Sequence, residues 1–238
     1  PIMRENLFRV LRNTLGIQCI NYLLMPLPML FAIFLSEIKS TRFQKCVQTL
    51  TTLPHFISWV IMFSLMSSLF GSSGLVNSLM SKFGAEMTVN ILTTDKHVWL
   101  IQALLYTWKN LGWNAIIYFA AITGLDQEVN EAAMIDGASR WKRVWHITIP
   151  GLVPTIVLLT TLAMGNVLNA GFDQVFNMYN QLVIETGDII DTYVYRIGIT
   201  NMQFSLATAA GLFKSVVSFV LVVTSYVCAY KFAAYKIF

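Results

Sequence analysis

Chemistry-bearing side chains are sparse in this chain, and their densest group is the stretch EAAMIDGASRWKRVWHITIP at 131–150. It carries Glu131, Asp136, Arg140, Lys142, Arg143 and His146 between two oily stretches. Mixed charges on a short helical segment suit contact with another surface better than bond-making. The residues that could make or break bonds do not converge. His55, His97 and His146 are far apart, and Cys19, Cys46 and Cys228 are scattered without metal or disulfide spacing. The patterns GxxxxGK[ST], HExxH and GxSxG are absent, so the chain has no usual phosphate loop of its own. No basic stripe with interleaved aromatics marks it as a nucleic-acid binder. Asp173 and Glu185 read as solvated loop acids, and His55, beside Pro54, as a capping or packing residue.

Read as one helix over 131–149, the segment places Met134, Ala138, Trp141 and Trp145 on one stripe and Asp136, Arg140 and Arg143 on another. An Asp136–Arg140 pair would support that helix. Gly137 interrupts it, which predicts a bend or a close contact. Ala132, Ala133 and Gly137 leave a face small enough for another surface to approach. Pro150 opens the next segment, where a missing N–H does no harm. Periodicity alone leaves a second reading open, an amphipathic helix lying on lipid headgroups.

The elements that must position this segment are read from composition. Hydrophobic types make up 56% of the 238 residues and charged types 12%, about half the usual charged share of a soluble domain. Residues 13–36, 46–81 and 144–172 contain no Asp, Glu, Lys or Arg. A membrane-crossing helix needs about 20 mostly apolar residues, so the chain reads as an all-α membrane protein. Five spans are predicted, at about 14–36, 47–70, 98–122, 150–171 and 208–230. A segment over 1–13 reads as an external amphipathic piece and 231–238 as a cytoplasmic tail. Lys109 and Lys214 fall inside spans, either snorkelling to an interface or lining a wet cavity. Ala120 with Gly124, and Ala207 with Gly211, read as helix-packing pairs.

Orientation follows the basic loops. Lys39, Arg42, Lys45, Arg140, Lys142, Arg143, Lys231 and Lys236 fall on one side, read as cytoplasmic, against six on the other. An external start with an odd number of spans predicts that one more span precedes Pro1.

At this point the residues carry a resemblance. Glu131-Ala132-Ala133, Gly137, Ile147, Ile149 and Pro150 have the spacing of the signature of ABC importer permease subunits, with Ile149 where leucine is usual. The stretches LPHFISWV, GLVNSLM, FNMYN, ETGDIIDTYVYRIG and ATAAGLFKSVVS resemble the carbohydrate branch, in particular permeases for poly- and oligosaccharides. The resemblance implies a type I importer transmembrane fold in a bacterial plasma membrane, usually with six spans. It implies a heterodimer with a second permease, two ATPase subunits that hold the ATP and Mg, an extracellular solute-binding protein, and no cofactor in this chain. The signature segment becomes the coupling helix, with Glu131, Ala132, Ala133, Gly137, Ile147 and Pro150 as its residues. Arg140 and Trp141 are added from the two faces above.

For the sugar path, the expected residues are Asn166, Asn169, Phe172 and Gln174, with Asn114 and Tyr118 on the third span. Amides hydrogen-bond hydroxyls, and aromatic faces stack on pyranose rings. Asn166 and Asn169 could instead bond neighbouring helices. The same machinery with a non-sugar cargo, a membrane-embedded enzyme and a channel subunit are the competing classes.

Overall fold

The computed structural model describes residues 2–83, 97–178 and 180–233, which are helices joined by turns and short connections. Most of the expected loop over 71–97 and most of the expected tail over 231–238 lie outside the described residues. The helices are α1 (Ile2–Leu24), α2 (Pro26–Ser36), α3 (Thr41–Thr52), α4 (Trp59–Phe70), α5 (Leu75–Lys82), α6 (Val98–Thr123) and α7 (Gln127–Ile135). They continue with α8 (Arg140–Arg143), α9 (Ile149–Met164), α10 (Phe172–Met178), α11 (Ile184–Gly187), α12 (Ile190–Tyr195) and α13 (Phe204–Ala233).

Among the described residues, four helical stretches are long and apolar enough to cross a membrane: Asn6–Ser36, Trp59–Lys82, Arg140–Met164 and Phe204–Lys231. The limits differ from those predicted, for local reasons. Residues 2–13 are no separate segment but the first turns of α1, where Val10 and Asn13 are buried. Pro26 then breaks the helix at Met25, because it donates no N–H and its ring crowds the preceding turn. The predicted span 47–70 is two helices. α3 stops ahead of Pro54, and α4 restarts on Ser58, whose hydroxyl accepts from the Ile61 N–H at 3.3 Å. α6 covers the third predicted span in one piece of 26 residues, about 39 Å at 1.5 Å per residue. Gln102, Lys109, Asn110 and Asn114 make it less apolar than the other four stretches. The fourth span ends at Met164 instead of 171, in a turn opened by Gly165 and Asn166.

Two compact units divide the chain. Pro1–Leu24, Ile57–Thr107 and Asn166–Ser218 form the first, and Met25–Phe56, Trp108–Gly165 and Phe219–Phe238 the second. In the first unit one face of α1 packs against the chain between 166 and 194. Ile17 meets Ala170, Val175 and Ile189, and Val10 meets Leu168 and Ile190. The same face carries polar groups that bond that segment's backbone. Asn13 Nδ2 donates to the Glu185 and Asp188 carbonyls at 3.0 Å each. Thr14 Oγ1 accepts from the Ile190 N–H at 3.0 Å. Gln18 Nε2 donates to the Asn166 and Asn169 carbonyls at 2.6 and 2.7 Å. Where a chain leaves regular helix and is buried, its backbone groups must find such partners, since a buried polar group left unmet costs about 1–3 kcal/mol. α1 supplies them.

In the second unit, Ala32 on α2 packs with Ala115 and Tyr118 of α6, and Ile33 with Val144 and Leu152. Gly112 lets α6 touch α3 backbone to backbone. A Cβ at Gly112 would lie 2.4 Å from the Thr51 carbonyl carbon and oxygen.

Candidate functional site

The signature segment lies in the second unit. Asp126 caps α7 by accepting from the Glu128 N–H at 2.9 Å. α7 ends at Asp136–Gly137, where Gly137 has φ +77°. Gly137 N–H donates to the Met134 carbonyl at 3.1 Å and Ala138 N–H to the Ala133 carbonyl at 2.9 Å. These two bonds are the paired closure in which a left-handed glycine satisfies the last carbonyls of a helix. Ser139 then caps α8, accepting from the Lys142 N–H at 3.4 Å. A wider π-type turn at Val144–Thr148 leads into α9, with Pro150 in its first turn.

The segment is therefore helix–turn–helix, not the single helix expected over 131–149. The i,i+4 geometry for Asp136 and Arg140 does not arise. Arg140 instead faces Glu37 at the end of α2, at 3.9 Å. The apolar stripe is cut between Met134 and Trp141, and Trp141 meets Phe34 of α2 edge-on at 6.5 Å. The expected bend at Gly137 is present. Among the described residues none beyond its chain neighbours approaches the glycine, since a Cβ there would meet nothing within 4 Å. Glu131 and Ala132 are exposed and Ala133 half-buried. Ile135 is 86% and Trp141 65% exposed. Ile147 is half-buried and Pro150 exposed. α9 packs back on the chain through Leu152, and Gly151 closes against Leu125.

The expected sugar-path residues separate by unit and by surroundings. Asn166 and Asn169 are in the first unit, in the turn after α9 rather than on the span. Both are exposed, and Asn169 Nδ2 donates to Asn166 Oδ1 at 3.0 Å. Phe172 joins Phe176 and Tyr195 in an aromatic trio. Gln174 is 2% exposed, and its amide donates to the Gln102 carbonyl at 2.7 Å, so it ties two helices together. Asn114 and Tyr118 are in the second unit. Asn114 is exposed, whereas Tyr118 is buried among Ala32 and Ala115.

The two lysines within spans have partners. Lys109 Nζ donates to the His55 carbonyl at 2.6 Å, closing the turn Leu53–Phe56. The His55 ring stacks on Trp113 at 4.4 Å, and its Nδ1 meets Asn110 Oδ1 at 2.9 Å. Lys214 pairs with Asp191. Asp188, fully buried, accepts from Arg196 at 2.6 Å, Arg9 at 3.3 Å and the Thr192 hydroxyl at 2.8 Å. Sequence reasoning missed this acid. Its position in the acid-rich run ETGDIID was visible, but not its partners.

Apolar spans joined to an exposed, capped helix–turn–helix with mixed charges describe an integral membrane transport subunit without a nucleotide motif. Residues 25–232 match the family described as binding-protein-dependent transport system inner membrane component, and the chain belongs to that family. It is 39% identical over 234 residues to Protein LplB of Bacillus subtilis (strain 168), covering 97% of this chain and 73% of that protein. It is 41% identical over 227 residues to the polygalacturonan/rhamnogalacturonan transport system permease protein YteP of the same organism, covering 94% of this chain and 70% of that protein. Among solved structures, it is similar to a bacterial ABC transporter involved in the import of the acidic polysaccharide alginate. The TM-score there is 0.91 at 36% identity, covering 96% of this chain and 80% of that one. A second structure of a bacterial alginate transporter, in complex with an alginate pentasaccharide-bound periplasmic protein, matches with TM-score 0.89 at 36% identity, covering 94% of this chain and 78% of that one.

Proposed function

We propose that this chain is one permease of an ATP-driven importer for a poly- or oligosaccharide. In this reading it pairs with a second permease, docks two ATPase subunits that hold the ATP and Mg, and receives sugar from an external binding protein. The observation that carries the reading is the signature segment itself: an exposed helix–turn–helix, capped at both starts, that packs on α2 and α9 while presenting Glu131 and Ile135 outward. The relatives named for polygalacturonan/rhamnogalacturonan and alginate transport support a carbohydrate cargo.

The mechanism follows from the segment's two attachments. Glu131 makes a charged contact with a basic residue of the ATPase, and Ala132, Ala133 and Gly137 allow close approach. Arg140 and Trp141 link the segment to Glu37 and Phe34 at the end of α2. Ile147 and Pro150 carry the displacement into α9. Closure of the ATPase dimer moves the segment as a rigid body, and the spans switch between two packings of similar energy. Asn166, Asn169 and Phe172 line the sugar path. Gln174, bonded to the Gln102 carbonyl, holds that lining within the first unit. Asn114 is the second unit's own candidate for sugar contact, exposed on α6, with Tyr118 one turn further on packed in that unit's core.

The test separates coupling from assembly. Glu131→Ala or Gly137→Val is expected to abolish ATP-driven sugar uptake in a complex that still assembles with its ATPase. Normal transport by both variants overturns the reading.

A further inference from the structure

We propose that Phe172, Phe176 and Tyr195 form a stacking platform for a pyranose ring, a specificity-determining surface of the sugar path. This rests on the carbohydrate reading above. The ring centroids form a closed triangle: 5.1 Å between Phe172 and Phe176, 5.4 Å between Phe172 and Tyr195, and 5.1 Å between Phe176 and Tyr195. Phe172 and Phe176 are one turn apart on α10, with their planes 23° from parallel. Tyr195 comes from the end of α12 and adds a hydroxyl. A trio that only filled a core would be buried. Here Phe176 is 39% and Tyr195 40% exposed.

Two observations separate this surface from a lipid-facing aromatic belt. The chain between Met164 and Phe172 is not helical, and Gly171 turns it with φ +86°. Irregular backbone at membrane depth is tolerated only where protein covers it or water reaches it. α1 covers part of this stretch through Gln18, yet the Asn166 and Asn169 side chains are exposed. The two amides share one bond, Asn169 Nδ2 to Asn166 Oδ1 at 3.0 Å, but their remaining polar groups would be costly against hydrocarbon, so on this proposal the face meets water. The composition then fits a sugar. A pyranose presents apolar C–H faces and a rim of hydroxyls. An aromatic platform with two amides three and six residues upstream of Phe172 offers a partner to each.

The test uses the assembled importer with its binding protein in proteoliposomes, and radiolabelled oligosaccharides cut from alginate, polygalacturonan and arabinan. Phe176→Leu and Tyr195→Leu keep apolar bulk and remove a ring. Each is expected to lower uptake at limiting sugar by about two- to tenfold, while binding-protein-stimulated ATP hydrolysis persists. Tyr195→Phe keeps the ring and loses only the hydroxyl, so it is expected to lose less uptake than Tyr195→Leu. Phe176→Trp gives a readout that keeps an aromatic side chain in place. Its emission in the purified complex is expected to change saturably on titration with whichever of these sugars the wild type carries. Undiminished uptake by the leucine variants overturns the platform. So does a Phe176→Trp emission, taken as the difference from the wild-type complex, in which this chain alone carries six native tryptophans, that ignores sugar but is quenched by brominated lipid. Failure of the wild-type importer to carry any of the three sugars counts instead against the carbohydrate reading itself.

Discussion

Thr14→Val isolates a single hydrogen bond on which the irregular half of the first unit depends. Thr14 is fully buried. Its hydroxyl donates to the Val10 carbonyl of its own helix at 2.7 Å and accepts from the Ile190 N–H at 3.0 Å. Ile190 is the first residue of α12, and its N–H is one of the four that a helix start cannot satisfy internally. Thr14 thus caps a helix that lies 176 residues away in sequence. Valine has nearly the same shape, so packing is retained; the acceptor for the Ile190 N–H is lost together with the donor to the Val10 carbonyl, which still takes its own helix bond inside α1. A buried donor left unmet costs about 1–3 kcal/mol, in line with the roughly 0.5–2 kcal/mol lost when a helix cap is removed. Hydrogen–deuterium exchange of the assembled complex, read on the peptide covering α12, measures this directly. The amide of Ile190 should open about 5- to 150-fold more often, with no change in α7 or α9, which belong to the other unit. Unaltered exchange at Ile190 in Thr14→Val would refute the trans-capping argument.

Three further perturbations follow from the geometry. Gly112→Ala puts a Cβ 2.4 Å from the Thr51 backbone, which has no rotamer to yield. A loss of about 1–3 kcal/mol or more is expected in detergent-denaturation curves, with Gly124→Ala, whose nearest neighbour is at 3.5 Å, as the tolerated control. Gly137→Ala meets no clash but must hold φ +77°. It should cost roughly 1–2 kcal/mol, seen as faster exchange at the end of α7, and Gly137→Asn less. Asp188→Ala removes the buried acid that pairs with Arg196 and, at longer range, with Arg9, which keeps Glu185 at 2.7 Å; about 3–5 kcal/mol is the usual cost of breaking a buried pair. Because both arginines are partly exposed, the lower end is expected. Asp188→Asn should lose less, by the same denaturation assay.

What was legible in the sequence was local. The uncharged runs marked the apolar stretches, Pro150 marked a helix start, and the spacing from Glu131 to Pro150 marked the signature segment, whereas the predicted spans 14–36 and 47–70 ran through Pro26 and Pro54, where the helices break. Gly137 followed by Ser139 also spelled a helix stop and a new cap. The apolar stripe from Met134 to Trp145 concealed it, because a period of 3.6 residues continues on paper through a left-handed glycine. The end of α9 was illegible for a related reason: an uncharged run does not show where the backbone leaves the helix. The deeper misreading concerned α1. Asn13, Thr14 and Gln18 are ordinary polar residues in sequence, and their bonding partners lie 148–176 residues away. Only tertiary contact turns them from the edge of an amphipathic helix into the scaffold of an irregular segment. Lys214 is a similar case, paired with Asp191 23 residues away, and Asp188 is one in part: Thr192 and Arg196 are near it in sequence, but Arg9 lies 179 residues off.

The central claim is that this chain moves sugar only when a separate ATPase drives it. Accumulation of radiolabelled oligosaccharide in proteoliposomes tests it most directly, with this chain, its permease partner, the ATPase and the binding protein all present. The account predicts uptake that requires ATP on the ATPase side and sugar-loaded binding protein on the other, and that stops when the ATPase is omitted. Sugar or ion flux through the permeases at the same rate without ATPase or ATP would contradict it.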